Sequence, residues 1–265
     1  MDFEVTGKES VIAELEVARA YWYYILCEAF GNVPIVDRFD VPEGFLPETS
    51  SREEVFAFIE NSIKNNVDKL SDDTKTYYGR FNKWNAKMLL ARLYLNAESW
   101  IGKNMYTECM ALCTEIMNSN KYALENDYSA PFYAQNEGSQ EIIFAYPADE
   151  VKTGSTIYMA LQKTLHPSNV KTFNLQTWLD NGVCAVPTFI DTYEEGDKRL
   201  PKTWRMGQQY GSDGSILYCT GLVPGWEGKP LIYTKEVSNL ENGGEAEGYR
   251  CGKYEIKMGT SRALD

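Results

Sequence analysis

One histidine, six cysteines and 38 acidic residues bound the chemistry open to this 265-residue chain. A Ser-His-Asp arrangement would depend wholly on His166, which Pro167 follows immediately. No GxSxG, P-loop or GxGxxG pattern occurs, so neither a nucleophile elbow nor a phosphate cradle is visible. Gly211-Ser-Asp-Gly214 reads as a turn, because no apolar strand precedes it. Paired carboxylates could serve a glycosidase, and Glu194, Glu195 and Asp197 lie close together. In so acidic a chain a solvated acidic loop is much the better reading of that cluster. Cys109 and Cys113 stand four apart on an expected helix with no CxxC spacing anywhere, which favours two small buried thiols over a metal or redox pair. The reading is therefore of no catalytic set, no metal site and no cofactor.

What the sequence does hold is an inventory suited to sugars, whose apolar ring faces stack on Trp and Tyr while amides bond their hydroxyls. In the second half the candidates are Tyr158, Trp178, Asn181, Trp204 and Trp226. For each aromatic the competing reading is a half-buried ring filling the loop core. Charge narrows the ligand class: 26 basic against 38 acidic residues give −12, a surface that repels nucleic-acid phosphates and anionic lipid. No long apolar run could span a bilayer as a helix. The start, Met1-Asp-Phe-Glu-Val, shows no signal-peptide pattern.

These residues need elements to hold them. Residues 8–30 form a proline-free run of helix formers and aromatics, stopped by Phe30-Gly31-Asn32-Val33-Pro34, with Gly31 supplying the left-handed C′ position. Residues 35–50 carry Pro42, Gly44 and Pro47 and predict an extended loop. Ser51-Arg-Glu-Glu54 is a capping box, and Val55, Ile59, Ile63, Val67 and Leu70 form one apolar stripe behind it. A third helix over 81–100 is apolar nearly all round, which predicts a central position covered on several faces. A fourth over 105–118 should turn Cys109, Leu112, Cys113, Ile116 and Met117 inward, with Asn120 as terminator. The third and fourth together have the pattern of one tetratricopeptide-like hairpin. Glu141 to Tyr146 predicts a short strand. Beyond it most of the 20 glycines accumulate, predicting long structured loops with short strands and helices, where recognition residues commonly sit. The expected fold class is mostly α: residues 1–125 a helical scaffold, 126–265 a loop-rich recognition region, within one domain.

Four stretches, the last of them a pair, resemble the SusD/RagB family of outer-membrane nutrient-binding proteins of Bacteroidetes. Arg19 to Val36 is similar to the family's aromatic helix with its FGNVP turn, and Ser51 to Leu70 to its SR-EVF-FIE helix. Tyr78 to Glu98 follows the family's GR-NK…ALLARLYLNAE segment almost position by position. Tyr193 to Arg199 and Tyr249 to Tyr254 resemble elements of its variable half. The resemblance implies a SusD-like α-α superhelix, lipid-anchored at the cell surface, which captures glycans or other nutrients without cleaving them. It also implies a partner, a TonB-dependent SusC-like transporter that the protein covers as a lid. Tyr158 and Trp178 look like aromatics of the family's glycan site, with Asn181 beside them. The family's NGW element is Asn181-Gly182-Val183 here, so the ligand need not be starch. The resemblance further implies a lipoprotein signal and anchor before Met1 and more helices after Asp265, making this chain a central fragment. Two alternatives are a tetratricopeptide-like module whose only partner is the transporter, and a glycoside hydrolase or esterase.

Overall fold

The computed structural model describes residues 7–147 and 160–259. The chain divides into two compact units, one formed by Met1–Leu124 with Gln140–Pro147, the other by Glu125–Ser139 with Ala148–Asp265.

The first unit is helical. Helix α1 (Lys8–Phe30) buries Ala13, Val17, Ala20, Tyr24 and Cys27, the three- and four-residue steps of one face. Its other side leaves Trp22 and Phe30 largely exposed. Gly31 ends it at φ 75°, donating its N–H to Cys27 O at 2.9 Å. The ψ of −93° is not the left-handed helical value the sequence suggests. A Cβ at Gly31 would also meet the Arg52 guanidinium at 2.7 Å, which that flexible side chain could relieve, so the positive φ is what favours glycine here. Strands β1 (Val33–Pro34) and β2 (Thr49–Ser50) pair antiparallel and close the expected loop. Helix α2 (Arg52–Lys64) opens on the Ser51–Glu54 capping box and buries Val55, Phe56, Ile59 and Ile63.

Helix α3 (Lys83–Ile101) begins from a second box, Asn82 with Asn85, and packs between α2 and α4 (Tyr106–Asn118). Three sequence expectations are corrected here. Leu95 is exposed, so α3 is buried on its α2 and α4 sides rather than all round. Met117 is exposed too: Ile116 is buried, while Cys109, Leu112 and Cys113 are half-buried. Residues 141–146 form no strand. Phe144 instead stacks on Phe81 at 4.9 Å, and Tyr146 and Phe144 meet Tyr21, so these apolar residues are satisfied by an aromatic cluster on the helices.

The second unit is loop-rich. It contains the short helices α5 (Ala160–Thr164), α6 (Val170–Phe173), α7 (Pro187–Ile190) and α8 (Arg199–Thr203). Strand β3 (Trp204–Arg205) pairs antiparallel with β6 (Arg250–Cys251), and β4 (Gly207–Gln208) with β5 (Ile232–Tyr233). Ladders this short satisfy little of the backbone, so the remaining polar groups must find other partners. Two apolar clusters, Leu165–Phe173–Leu175–Leu179–Ile256 and Leu217–Cys219–Leu231–Tyr233–Ala246, are supplemented by a buried polar network.

Candidate functional site

The centre of that network is a pair with no exposure at all, His166 and Glu245, whose Nε2 and Oε1 are 2.6 Å apart. Ser168 N–H donates to His166 Nδ1 at 3.0 Å, so Nδ1 is the acceptor and Nε2 carries the proton given to Glu245. The Glu245 carboxylate also receives the N–H and hydroxyl of Thr220 and the N–H groups of Gly221 and Val223. Burial alone would raise the Glu245 pKa, but the bonds from His166, Thr220 and Val223 outweigh it and hold the carboxyl below its usual range. Burial lowers the His166 pKa more than Glu245 raises it. The pair is a neutral imidazole on a carboxylate.

Cys219 brings a third potential metal ligand, with the three donor atoms within 4.8 Å of one another. The donor chemistry argues against a metal. Both imidazole nitrogens are committed, the carboxylate is saturated by N–H and O–H donors, and burial pushes the Cys219 thiol up to about 11. The same commitments deny His166 a role as base: it is buried, neutral and without a free nitrogen.

Next to this brace lies Arg250, 2% exposed, whose guanidinium donates to the carbonyls of Glu245, Glu247 and Gly248 and to Asn181 Oδ1. Asn181 Nδ2 in turn donates to Glu245 O at 2.8 Å. Asn181 sits at φ 55°, a left-handed position that Asn tolerates. Backbone bonds from Asp180, Asn181 and Gly182 to Gln162, Leu165 and Lys163 fix the segment around it. Together these contacts hold one wall of a cavity of about 470 Å³. Asn181, Cys184, Val223, Asn239 and Glu247 are among its lining residues. Gly248 must lack a side chain, since a Cβ there would meet Cys184 Sγ at 2.5 Å. The volume falls within the range of small-molecule sites, about 300–1,000 Å³.

Of the residues singled out by sequence, Asn181 lines this cavity, its amide engaged with Arg250 and Glu245. Trp178 stands three residues earlier, 60% exposed, with its carbonyl accepting from Gln162 Nε2. It is outside the lining. Tyr158 lies outside the described residues. Trp204 is half-buried, its indole N–H directed to Tyr193 OH at 3.2 Å, and Trp226 packs beside the second apolar cluster. Glu245 and Arg250 escape sequence reasoning. Nothing marks a lone acid after Gly243-Gly244 as buried, because its donors come from residues more than twenty positions away.

Over residues 4–95 the chain matches the SusD-like family described as starch-binding and associating with the outer membrane. The starch-binding protein SusD of Bacteroides thetaiotaomicron is 30% identical over 156 residues, covering 56% of this chain and 27% of that protein. Over these residues the chain is similar to the SusD family. A SusD-like protein of Bacteroides ovatus is 26% identical over 145 residues, 52% of this chain and 26% of its own length. A SusD superfamily structure from Parabacteroides distasonis superposes with TM-score 0.70 at 20% identity, covering 96% of this chain and 50% of that one. NanU of Bacteroides fragilis does so with TM-score 0.66 at 17% identity, covering 100% and 52%. These solved structures share the fold, and this chain spans about half their length. The family match covers the helical unit's first three helices, where the FGNVP turn and most of the LLARLYLNAE helix lie.

Proposed function

We propose that this SusD-like chain belongs to a non-catalytic glycan-binding protein of the outer-membrane surface, which holds a saccharide for a TonB-dependent transporter. The observation that carries this reading is the cavity beside Asn181, with the exposed Trp178 ring nearby in sequence, on loops braced by a buried polar network. A brace of that kind preorganises a binding surface, since loops already fixed lose little freedom when a ligand arrives. The family's description as starch-binding supports the ligand class. The buried, fully committed His166 supports capture rather than turnover. An anchor in the outer membrane and a SusC-like partner are parts of the same proposal, drawn from the family.

The test is affinity electrophoresis against neutral polysaccharides, starch among them, with and without Trp178→Ala. Retardation by a glycan that weakens about tenfold on losing the stacking ring, with the melting temperature unchanged, supports the reading. Absence of retardation by every glycan, together with co-purification of a transporter, would favour the adaptor alternative. Trp22 and Phe30, exposed along α1, are the apolar residues such an adaptor would offer.

A further inference from the structure

A second cavity, of about 410 Å³, opens in the loop-rich unit beside β3, lined by Thr172, Trp204, Arg205, Gln208 and Tyr210 among others. We propose that it is a subsite for an acidic saccharide, with Arg205 receiving the sugar carboxylate. This rests on the glycan-binding reading and adds the ligand's charge.

The β3–β6 register places two arginines opposite each other, Arg205 and Arg250. Arg250 has its guanidinium saturated by three carbonyls and the Asn181 amide oxygen. Arg205 is different. Its Nε is buried with no acceptor, and among the described residues its guanidinium donates no hydrogen bond. Buried polar groups without partners are uncommon and costly, and each calls for a reason.

Arg205 is nevertheless held in place. Its guanidinium lies over the Phe173 ring at 4.6 Å, and its stem crosses Gly252, where a Cβ would meet Arg205 Cγ at 2.7 Å. Stacking and a glycine thus hold a guanidinium without any acceptor at the cavity wall, and a planar guanidinium is the group suited to bidentate contact with a carboxylate. Burial also depresses the Arg205 pKa, a cost an incoming anion would offset. Although the chain carries 38 acids, none of the described residues of the cavity lining is acidic, so none of them neutralises the charge or repels an anion. The rest of the lining suits a sugar. Tyr210 is half exposed and offers a ring face, while Gln208 and Thr172 add polar groups. Trp178 is absent from this lining, so the two regions can be separated by mutation.

The test is isothermal titration calorimetry of the intact protein with tetragalacturonate, maltotetraose and inorganic phosphate. Tetragalacturonate is expected to bind, and Arg205→Gln to weaken it at least about tenfold, as loss of a charge-assisted pair should. Tyr210→Ala, a change at a surface ring that leaves the core intact, is expected to weaken it as well. Trp178→Ala should leave tetragalacturonate binding unchanged. Failure of wild type to bind tetragalacturonate, or unaltered binding by both Arg205→Gln and Tyr210→Ala, overturns the subsite. Phosphate binding as tight as tetragalacturonate overturns the saccharide and leaves a plain anion site. Neutral glycan retained by wild type through Trp178 while tetragalacturonate fails would sink the subsite and leave the glycan-binding reading standing.

Discussion

With no exposure at all, the Glu245 carboxylate relies on His166, Thr220 and the N–H groups of Gly221 and Val223 to replace the water it lost on folding. Glu245→Gln keeps the shape but puts an NH2 against backbone donors and removes the charge that attracts them. It is expected to destabilise the loop-rich unit by on the order of 3 kcal/mol, measured by urea unfolding. The pair also sets an acid limit. Both folded-state pKa values lie below the ordinary 6.5 of histidine and 4.5 of glutamate, so the unfolded chain binds more protons as pH falls. Stability should therefore be full above about pH 6.5, fall first as the unfolded histidine takes up a proton, and fall again below about pH 4.5. His166→Gln keeps an N–H for Glu245 but cannot titrate. Its urea midpoint should lose the first of these two declines, and a midpoint that still drops at the higher pH would rule out this assignment.

Among the helices, Leu93 is fully buried on α3, between the faces that meet α2 and α4. Leu93→Ala should cost about 2–5 kcal/mol, because packing on both sides limits collapse of the cavity. Circular dichroism melts of the chain would show it as a lowered first transition. The helices were also the legible part of the sequence. The bounds of α1, the Ser51 capping box and the hairpin of α3 with α4 follow from local chemistry: glycine and proline stops, reciprocal cap bonds and a repeated apolar step. What the sequence could not supply is the identity of each element's neighbours. Leu95 and Met117 are apolar yet exposed, and residues 141–146 have strand composition yet join an aromatic cluster. The two-residue strands of the second unit exist only through partners distant in sequence, which no local pattern reveals.

For the molecule taken whole, the SusD resemblance was legible because most of the stretches that carry it lie in the helical half, largely within the matched residues 4–95. The candidate site was legible only in part. Asn181 and Trp178 are marked by residue type, whereas the cavity wall depends on Arg250 and Glu245, recruited across 69 and 64 positions. Trp178→Ala is accordingly expected to reduce neutral glycan binding without lowering stability, since its ring is 60% exposed. Arg205→Gln should act on acidic glycans alone. Measuring both ligands on both variants separates a shared surface from two subsites.

The brace that joins His166 to Glu245 and Asn181 to Arg250 has a consequence in time as well as in space. The α3–α4 hairpin closes over a few residues and can form as soon as those residues are available. The brace must wait for chain ends 79 and 69 residues apart to meet, and closing loops of that length slows folding. Until they meet, Glu245 and Arg250 remain solvated charges beside unpaired loops. The loop-rich unit is thus expected to fold last, and its formation is the stage at which proteases or aggregation would compete most strongly with completion of the cavity wall.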